Sequence, residues 1–311
     1  MRTTRFFTFL TTLVLTLSAY AYDFQSGDLY YNITSSTEPY IAEVTSSDLY
    51  RDNNYPGLTN ALIPSIVSSN GVTYNVAIGS FAFENCSSLT SVTIPANVTS
   101  IGERAFNNTP WWNSKPDGLV YINNILYTYK GIMPANTSVM IADGTTAISA
   151  SAFSNCSGLT SIKIPASVTH VENWVFDGCT ALTTFICEGN PIFDFDDSDG
   201  EYLSVLSLTP NLDSVVGPAS IFDVPELGWS RLPKKIRYIK VTGGELSNDA
   251  FAGINRSYKT LNALDLAAAT NTQLADEAFK DCYSLENLQL PSSLERIGYM
   301  SVANCKNLKS V

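Results

Sequence analysis

The sequence predicts an α/β repeat solenoid: coils of about 23 residues, one short parallel strand to a coil, behind a β-rich N-terminal cap. Two observations predict it. A 22-residue phrase, NCSSLTSVTIPANVTSIGERAF from Asn85 to Phe106, returns as NCSGLTSIKIPASVTHVENWVF from Asn155 to Phe176. One spacing also recurs along the chain. Cys156 to Cys179, Cys282 to Cys305, Phe83 to Phe106, Phe153 to Phe176, Ile78 to Ile101, Ile148 to Val171 and Leu274 to Ile297 are each 23 residues apart. A unit this short cannot bury its own apolar edge. Stacked units bury it against one another and align their strands.

Within each unit a second pattern fixes the strand. An apolar residue follows a leucine at the third and fifth positions, as in Leu89, Val92, Ile94; Leu159, Ile162, Ile164; Leu182, Phe185, Cys187; Leu261, Leu264, Leu266; and Leu285, Leu288, Leu290. The last two alternate, so they share one strand face. Pro95, Pro165 and Pro291 follow directly and end the strand, because proline cannot donate to a ladder. The Ile-Gly-x-x-Ala-Phe segment then reads as a turn and a short helical or irregular return.

The leucine pattern and the period place the chain among the leucine-rich repeats. The fuller phrase AFENCSSLTSVTIPANVTSIGERAF, Ala82 to Phe106, resembles the BspA-like leucine-rich repeat family. The resemblance covers Asn75 to Cys187 and Leu246 to Val311. It implies an exported, surface-associated bacterial protein with a non-enzymatic adhesion or binding role.

The remaining segments depart from the phrase. Cys86 to Cys156 is 70 residues, one more than three periods, so two irregular coils lie between them. There Leu119–Ile122 and Ile125–Tyr129 flank Asn123-Asn124, a hairpin signal, which sets an insert at about 107–147 inside a repeat block spanning 75–188. Residues 189–235 show no repeat and read as a loop-rich excursion, and 236–311 as a second repeat block. DLYYNIT and YIAEVT make 22–74 a β-rich cap over the first coil.

The N-terminus reads as a secretory signal peptide cut after Ala21. Arg2 and Arg5 precede an apolar stretch, Phe6 to Leu17, and Ala19-Tyr20-Ala21 supplies the small residues of a cleavage site. The stretch is too short to span a bilayer, and no cysteine follows the cut to carry a lipid. The expectation is a secreted or cell-surface protein without membrane insertion. The net charge is −11, which excludes nucleic acid and anionic membranes as natural partners.

The one histidine, His170, has no triad partner in the sequence pattern, and no G-x-S-x-G elbow surrounds a serine, so His170 reads as a surface-loop residue. The acidic run Asp194, Asp196, Asp197, Asp199 and Glu201 offers oxygen ligands to a hard cation. Its register fails the calcium-loop pattern, since Asp199 stands where glycine is required, and a solvated loop is the better reading. Five of six cysteines share one repeat position. Stacked residues have parallel side chains, which suit a disulfide poorly, so free buried thiols are expected. No spacing suggests zinc and no cofactor is implied. Asn85 and Asn155 fall in glycosylation sequons, as do Asn32, Asn97, Asn107, Asn136 and Asn255, but as repeat residues they read as turn formers.

Two candidate binding surfaces remain. Trp111 and Trp112 offer aromatic faces to a sugar ring, against the plainer reading that they pack the insert. The strand positions pointing away from the core form the other: Ser91 and Thr93, Ser161 and Lys163, Thr184 and Ile186, Ala263 and Asp265, Asn287 and Gln289. The function expected is non-enzymatic binding or adhesion towards a surface protein or a glycan. The alternative is carbohydrate capture for uptake, with the two tryptophans as platforms. An enzyme hidden in 189–235 would have only carboxylates to work with. The last strand pattern begins at Leu308 and reaches its second apolar position at Val311, so the expectation is either that the repeats continue beyond this sequence or that the chain self-associates through its C-terminal edge or frays there.

Overall fold

The computed structural model describes residues 22–46, 55–194, 206, 209–222, 235–247 and 260–311. The signal-peptide segment, Asp196, Asp197, Asp199, Glu201 and Asn255 lie outside the described residues. Among the described residues no helix is long and apolar enough to cross a membrane.

The N-terminal strands are β1 (Phe24–Ser26), β2 (Leu29–Ser35), β3 (Ile41–Thr45), β4 (Asn60–Leu62), β5 (Ile66–Ser69) and β6 (Val72–Ile78). All but β4 form one five-stranded sheet in the order β1-β2-β3-β6-β5. It joins the repeat through β6, whose last residue, Ile78, bridges in parallel to Ile101 of the next coil. Tyr55 stacks on Phe83 with ring centroids 5.1 Å apart, closing the first coil. The repeat starts earlier than the phrase suggests. Strand β4 pairs in parallel with β7 (Ser91–Thr93), Ala61 opposite Val92. Leu58, Ala61, Ile63 and Pro64 therefore repeat the strand phrase with a small residue in the middle.

The main sheet has seven parallel strands: β10 (Thr137–Met140), β12 (Leu159–Ile164), β14 (Thr184–Cys187), β16 (Ser214–Gly217), β17 (Tyr238–Val241), β18 (Ala263–Asp265) and β20 (Asn287–Gln289). A second sheet runs across the returning limb of each coil: β8 (Gly118–Ile122), β9 (Ile125–Lys130), β11 (Ala147–Ile148), β13 (His170–Val171) and β15 (Ile192–Phe193), with β8 and β9 forming the expected hairpin. Further along, β19 (Gln273–Leu274) pairs with β21 (Arg296–Ile297). The inward row Ile162, Phe185, Val215, Ile239, Leu264, Leu288 is fully or almost fully buried. Behind it, phenylalanines one period apart stack, Phe83 on Phe106 at 5.5 Å and Phe153 on Phe176 at 5.8 Å.

Strand β16 lies inside the stretch expected to leave the solenoid. Ser214 pairs with Thr184 after 30 residues, so the sheet passes through 189–235. The phrase is hidden because its last apolar position is Gly217. A side chain there would meet Ile221 Cδ1 at 2.3 Å, so Ile221, from the 3₁₀ turn Ala219–Ile221, fills the space a repeat residue fills elsewhere.

The α/β expectation is corrected. Among the described residues α-helix is confined to α1 (Pro110–Asn113), and the return limb is a series of tight turns. The cause lies in the backbone. Six returns among the described residues carry two left-handed residues four apart: Phe81 and Asn85, Arg104 and Asn108, Ser151 and Asn155, Trp174 and Gly178, Glu277 and Asp281, Met300 and Asn304. Left-handed residues cannot continue a right-handed helix. In three of these returns the N–H groups of the two left-handed residues, and of the phenylalanine between them, bond to the next coil instead, as in Phe81 to Glu103 O (2.9 Å), Phe83 to Ala105 O (2.7 Å) and Asn85 to Asn107 O (2.9 Å). The same three bonds recur from Ser151, Phe153 and Asn155 and from Glu277, Phe279 and Asp281. Asn85 and Asn155 are thus turn residues, as expected, with φ of 62° and 60°.

Leu159 has no exposed surface. Leu159→Ala is expected to cost ~2–5 kcal/mol through the cavity it leaves, and Leu159→Asp more, by burying a charge. Denaturant unfolding checks this, and a wild-type midpoint for Leu159→Asp would break the assignment of β12.

Candidate functional site

Strand alternation turns one row of side chains in and the next out. The register of the main sheet aligns two outward rows. One is Ser138, Ser161, Thr184, Ser214, Tyr238, Ala263 and Asn287; the other is Met140, Lys163, Ile186, Val216, Lys240, Asp265 and Gln289. Ser161, Lys163, Thr184, Asn287 and Gln289 therefore lie on one face. Ser91 and Thr93 do not join it, because β7 pairs only with β4. Along the chain, α1 and the hairpin of β8 and β9 come between β7 and β10.

The rows hold residues that the sequence reading missed: Ser138 and Met140 on β10, Ser214 and Val216 on β16, Tyr238 and Lys240 on β17. A signal was present. Ile236, Ile239 and Val241 keep the strand spacing with isoleucine in place of the leading leucine.

Among the described residues every cation on this face is paired within the chain. Lys163 Nζ lies 2.7 Å from Glu188, Lys240 Nζ 2.7 Å from Asp265 and Arg237 Nε 2.5 Å from Asp213. The Arg237 bond holds the Asp213 carboxyl below its usual range. Burial pushes the Asp265 carboxyl up, but bonds from Lys240 and the Ala267 N–H outweigh it and leave it lowered. Threonines edge the sheet, Thr160 Oγ1 donating to Thr137 O and Thr183 Oγ1 to Thr160 O, each at 3.0 Å.

All six cysteines are free, as expected. The structure adds a reason for their position. Cys179 Sγ donates to Phe153 O (3.1 Å) and Cys305 Sγ to Phe279 O (3.0 Å), the carbonyls of the coil before. Burial pushes the thiols of Cys86, Cys156 and Cys187 up to about 11 and those of Cys179 and Cys282 up to about 12.

His170 is on strand β13 rather than in a loop. Its Nε2 lies 2.9 Å from Asp194 Oδ2, and the Asp194 bond raises its pKa. Glu172, two residues on, accepts from Ser100 Oγ (2.8 Å) and the Ala150 N–H (3.0 Å). Ser100 therefore bonds Glu172, not His170. Among the described residues no three acidic, histidine or cysteine side chains converge on one point.

Trp111 and Trp112 are the middle two residues of α1, capped by Thr109 Oγ1, which accepts from the Trp112 N–H at 3.0 Å. Trp111 packs on Phe106 at 4.7 Å with Lys115 Nζ over its ring at 4.2 Å. Trp112 meets Tyr127 edge-on at 5.6 Å and has Lys130 Nζ 5.2 Å from its ring. Both are half-buried against the N-terminal core.

Stacked parallel strands, a turn-built return and a polar strand face define a β-solenoid of leucine-rich repeats. The chain belongs to the BspA type leucine rich repeat family, whose model matches six copies over residues 58–183, 127–198 and 232–311. Three solved structures are similar over 92% of this chain. A leucine rich cell surface protein from Faecalibacterium prausnitzii shares 19% identity, with 93% of its chain covered and a TM-score of 0.25. A leucine rich repeat protein of T. pallidum shares 18%, with 90% covered and a TM-score of 0.25. One from Bacteroides ovatus shares 19%, with 93% covered and a TM-score of 0.24. At such scores the family assignment rests on the repeats alone. No curated protein matches the chain.

The thiols yield one prediction. All six should titrate as free thiols after denaturation without reductant, and react slowly while the protein is folded, because little thiolate exists near neutral pH. A Cys156–Cys179 or Cys282–Cys305 bridge found by mass spectrometry would refute it. The histidine yields another. Its pKa is raised in the folded state, so the stability it contributes is full below the unfolded value of about 6.5 and is lost as pH rises through the folded pKa. The unfolding midpoint of His170→Gln should therefore fall further below wild type at about pH 5.5 than at about pH 8.5. Equal gaps would show that the Asp194 contact contributes nothing.

Proposed function

We propose that the chain is a non-enzymatic binding protein of the cell surface, engaging an extended protein or glycan with the outward face of its main sheet. The observation that supports this is the register. It sets serine, threonine, asparagine and glutamine side chains in two continuous rows across seven strands, with Ile186 and Val216 side by side among them. Rows of short polar groups on a stiff support suit a partner that lies along them. The family assignment supports the same reading, as does the signal-peptide pattern, which sends the mature chain outside the cell.

A second reading, glycan capture, has one observation in its favour. Trp112 lines a cleft of about 290 Å³ beside the insert. Trp111 is not among the residues that line it.

The test is to immobilise the full chain and present purified surface proteins and surface glycans. Thr184→Trp with Ser161→Arg should leave the melting temperature within a few degrees of wild type. It should weaken capture by about tenfold or more, as expected for bulk placed at the centre of an interface. Unchanged capture by this variant would defeat the sheet-face reading.

A further inference from the structure

The return-limb ladder is complete at three steps, from residues 81–85, from 151–155 and from 277–281. From 104–108 to the insert it is broken. There the Phe106 N–H reaches the Tyr127 hydroxyl at 3.4 Å, and the N–H groups of Arg104 and Asn108 find no partner among the described residues. Hairpin residues have replaced a regular turn, and the space between the coils opens into the cleft of about 290 Å³. That is close to the lower end of small-molecule pockets, about 300 Å³.

The lining decides what could enter. Arg104 and Lys130 border the cleft, but both charges are already engaged. Arg104 Nη2 lies 2.6 Å from Glu84 Oε1, and Lys130 Nζ donates to the carbonyls of Trp112 and Asn113 at 3.1 Å each. An anion finds no free cation. A metal ion finds one carboxylate, Glu103, and no cage of oxygens. The side chains of Glu103, Asn107, Tyr129 and Ser151 make no hydrogen bond to another described residue, so acceptors and donors line the cleft together with Trp112. Hydroxyl groups around a ring with apolar C–H faces match that arrangement.

We propose that this cleft, formed where the insert interrupts the return-limb ladder, binds a neutral saccharide. The proposal rests on the glycan reading above and gives it a site away from the sheet face. Asn107 and Glu103 hold ring hydroxyls from one coil and Ser151 from the other, while Trp112 packs against the ring.

Saturation-transfer NMR on the full chain, with a set of neutral methyl pyranosides and their disaccharides, tests it. At least one should give signal with wild type. Asn107→Ala and Glu103→Ala should each weaken it by about tenfold at unchanged melting temperature, the loss of a single ligand hydrogen bond. Thr184→Trp with Ser161→Arg should leave it intact, which separates this site from the sheet face. Absence of signal for every saccharide, equal signal from Asn107→Ala, or loss of signal only in the sheet-face variant would each overturn the proposal.

Discussion

Backbone hydrogen bonding from each coil to the next, at one register, is the constraint on which the rest depends. It acts on both limbs. On the strand limb it gives the parallel sheet, Ser161 opposite Thr184 and Ile162 opposite Phe185. On the return limb it draws N–H groups sideways into the neighbouring coil rather than along a helix. Once both limbs are tied, a side chain has its counterpart one period away as its neighbour. Phenylalanine stacks on phenylalanine, aspartate meets arginine, and a cysteine thiol reaches the carbonyl of the coil before. Small residues are forced where coils approach most closely: a Cβ on Gly102 would lie 2.3 Å from Ser80 N. The repeated phrase is the written form of these contacts.

That account explains what the sequence disclosed and what it withheld. The strand spacing and the period were legible because apolar burial and stacking act on every coil. The scarcity of helix among the described residues was not, because the residues that prevent it are chemically varied. Asn85 and Asn155 hint at a left-handed turn, but Phe81, Arg104, Ser151 and Trp174 adopt the same conformation without any such signal. Strand β16 escaped because its third core position is filled from a distance, by Ile221 over Gly217. Strand β4 escaped because alanine stands at its centre. In both cases the volume is conserved while the letter is not. The separation of Ser91 and Thr93 from the other strand positions could not be read at all. It depends on the insert claiming the place of a strand, which is a three-dimensional outcome of the α1 and hairpin packing.

The insert is also where the repeat stops constraining its own residues. A coil locked on both sides has few polar groups to offer, since its backbone is spent on neighbours. At the step to the hairpin, backbone and side-chain groups are released together. Any recognition there draws on irregularity, whereas recognition on the sheet face draws on regularity. The two surfaces thus suit different partners, a compact molecule in the one case and an extended one in the other.

The charge arrangement limits how the sheet face can act. Each lysine or arginine on it already holds a carboxylate, so a charged partner must either compete with an existing pair or leave it in place. Exposed pairs of this kind contribute little energy on their own, about 0–1 kcal/mol. They do cancel the local field, and long-range steering of a charged partner is weakened with it. Affinity on such a surface has to come from many short polar contacts and from the apolar patch at Ile186 and Val216. Contacts of that sort are individually weak and gain strength by number. Where such a face is presented in many copies, effective concentration supplies that number without any single tight site. The paired charges and the repeated small hydroxyls are therefore consistent features of one design, in which length of face replaces depth of pocket.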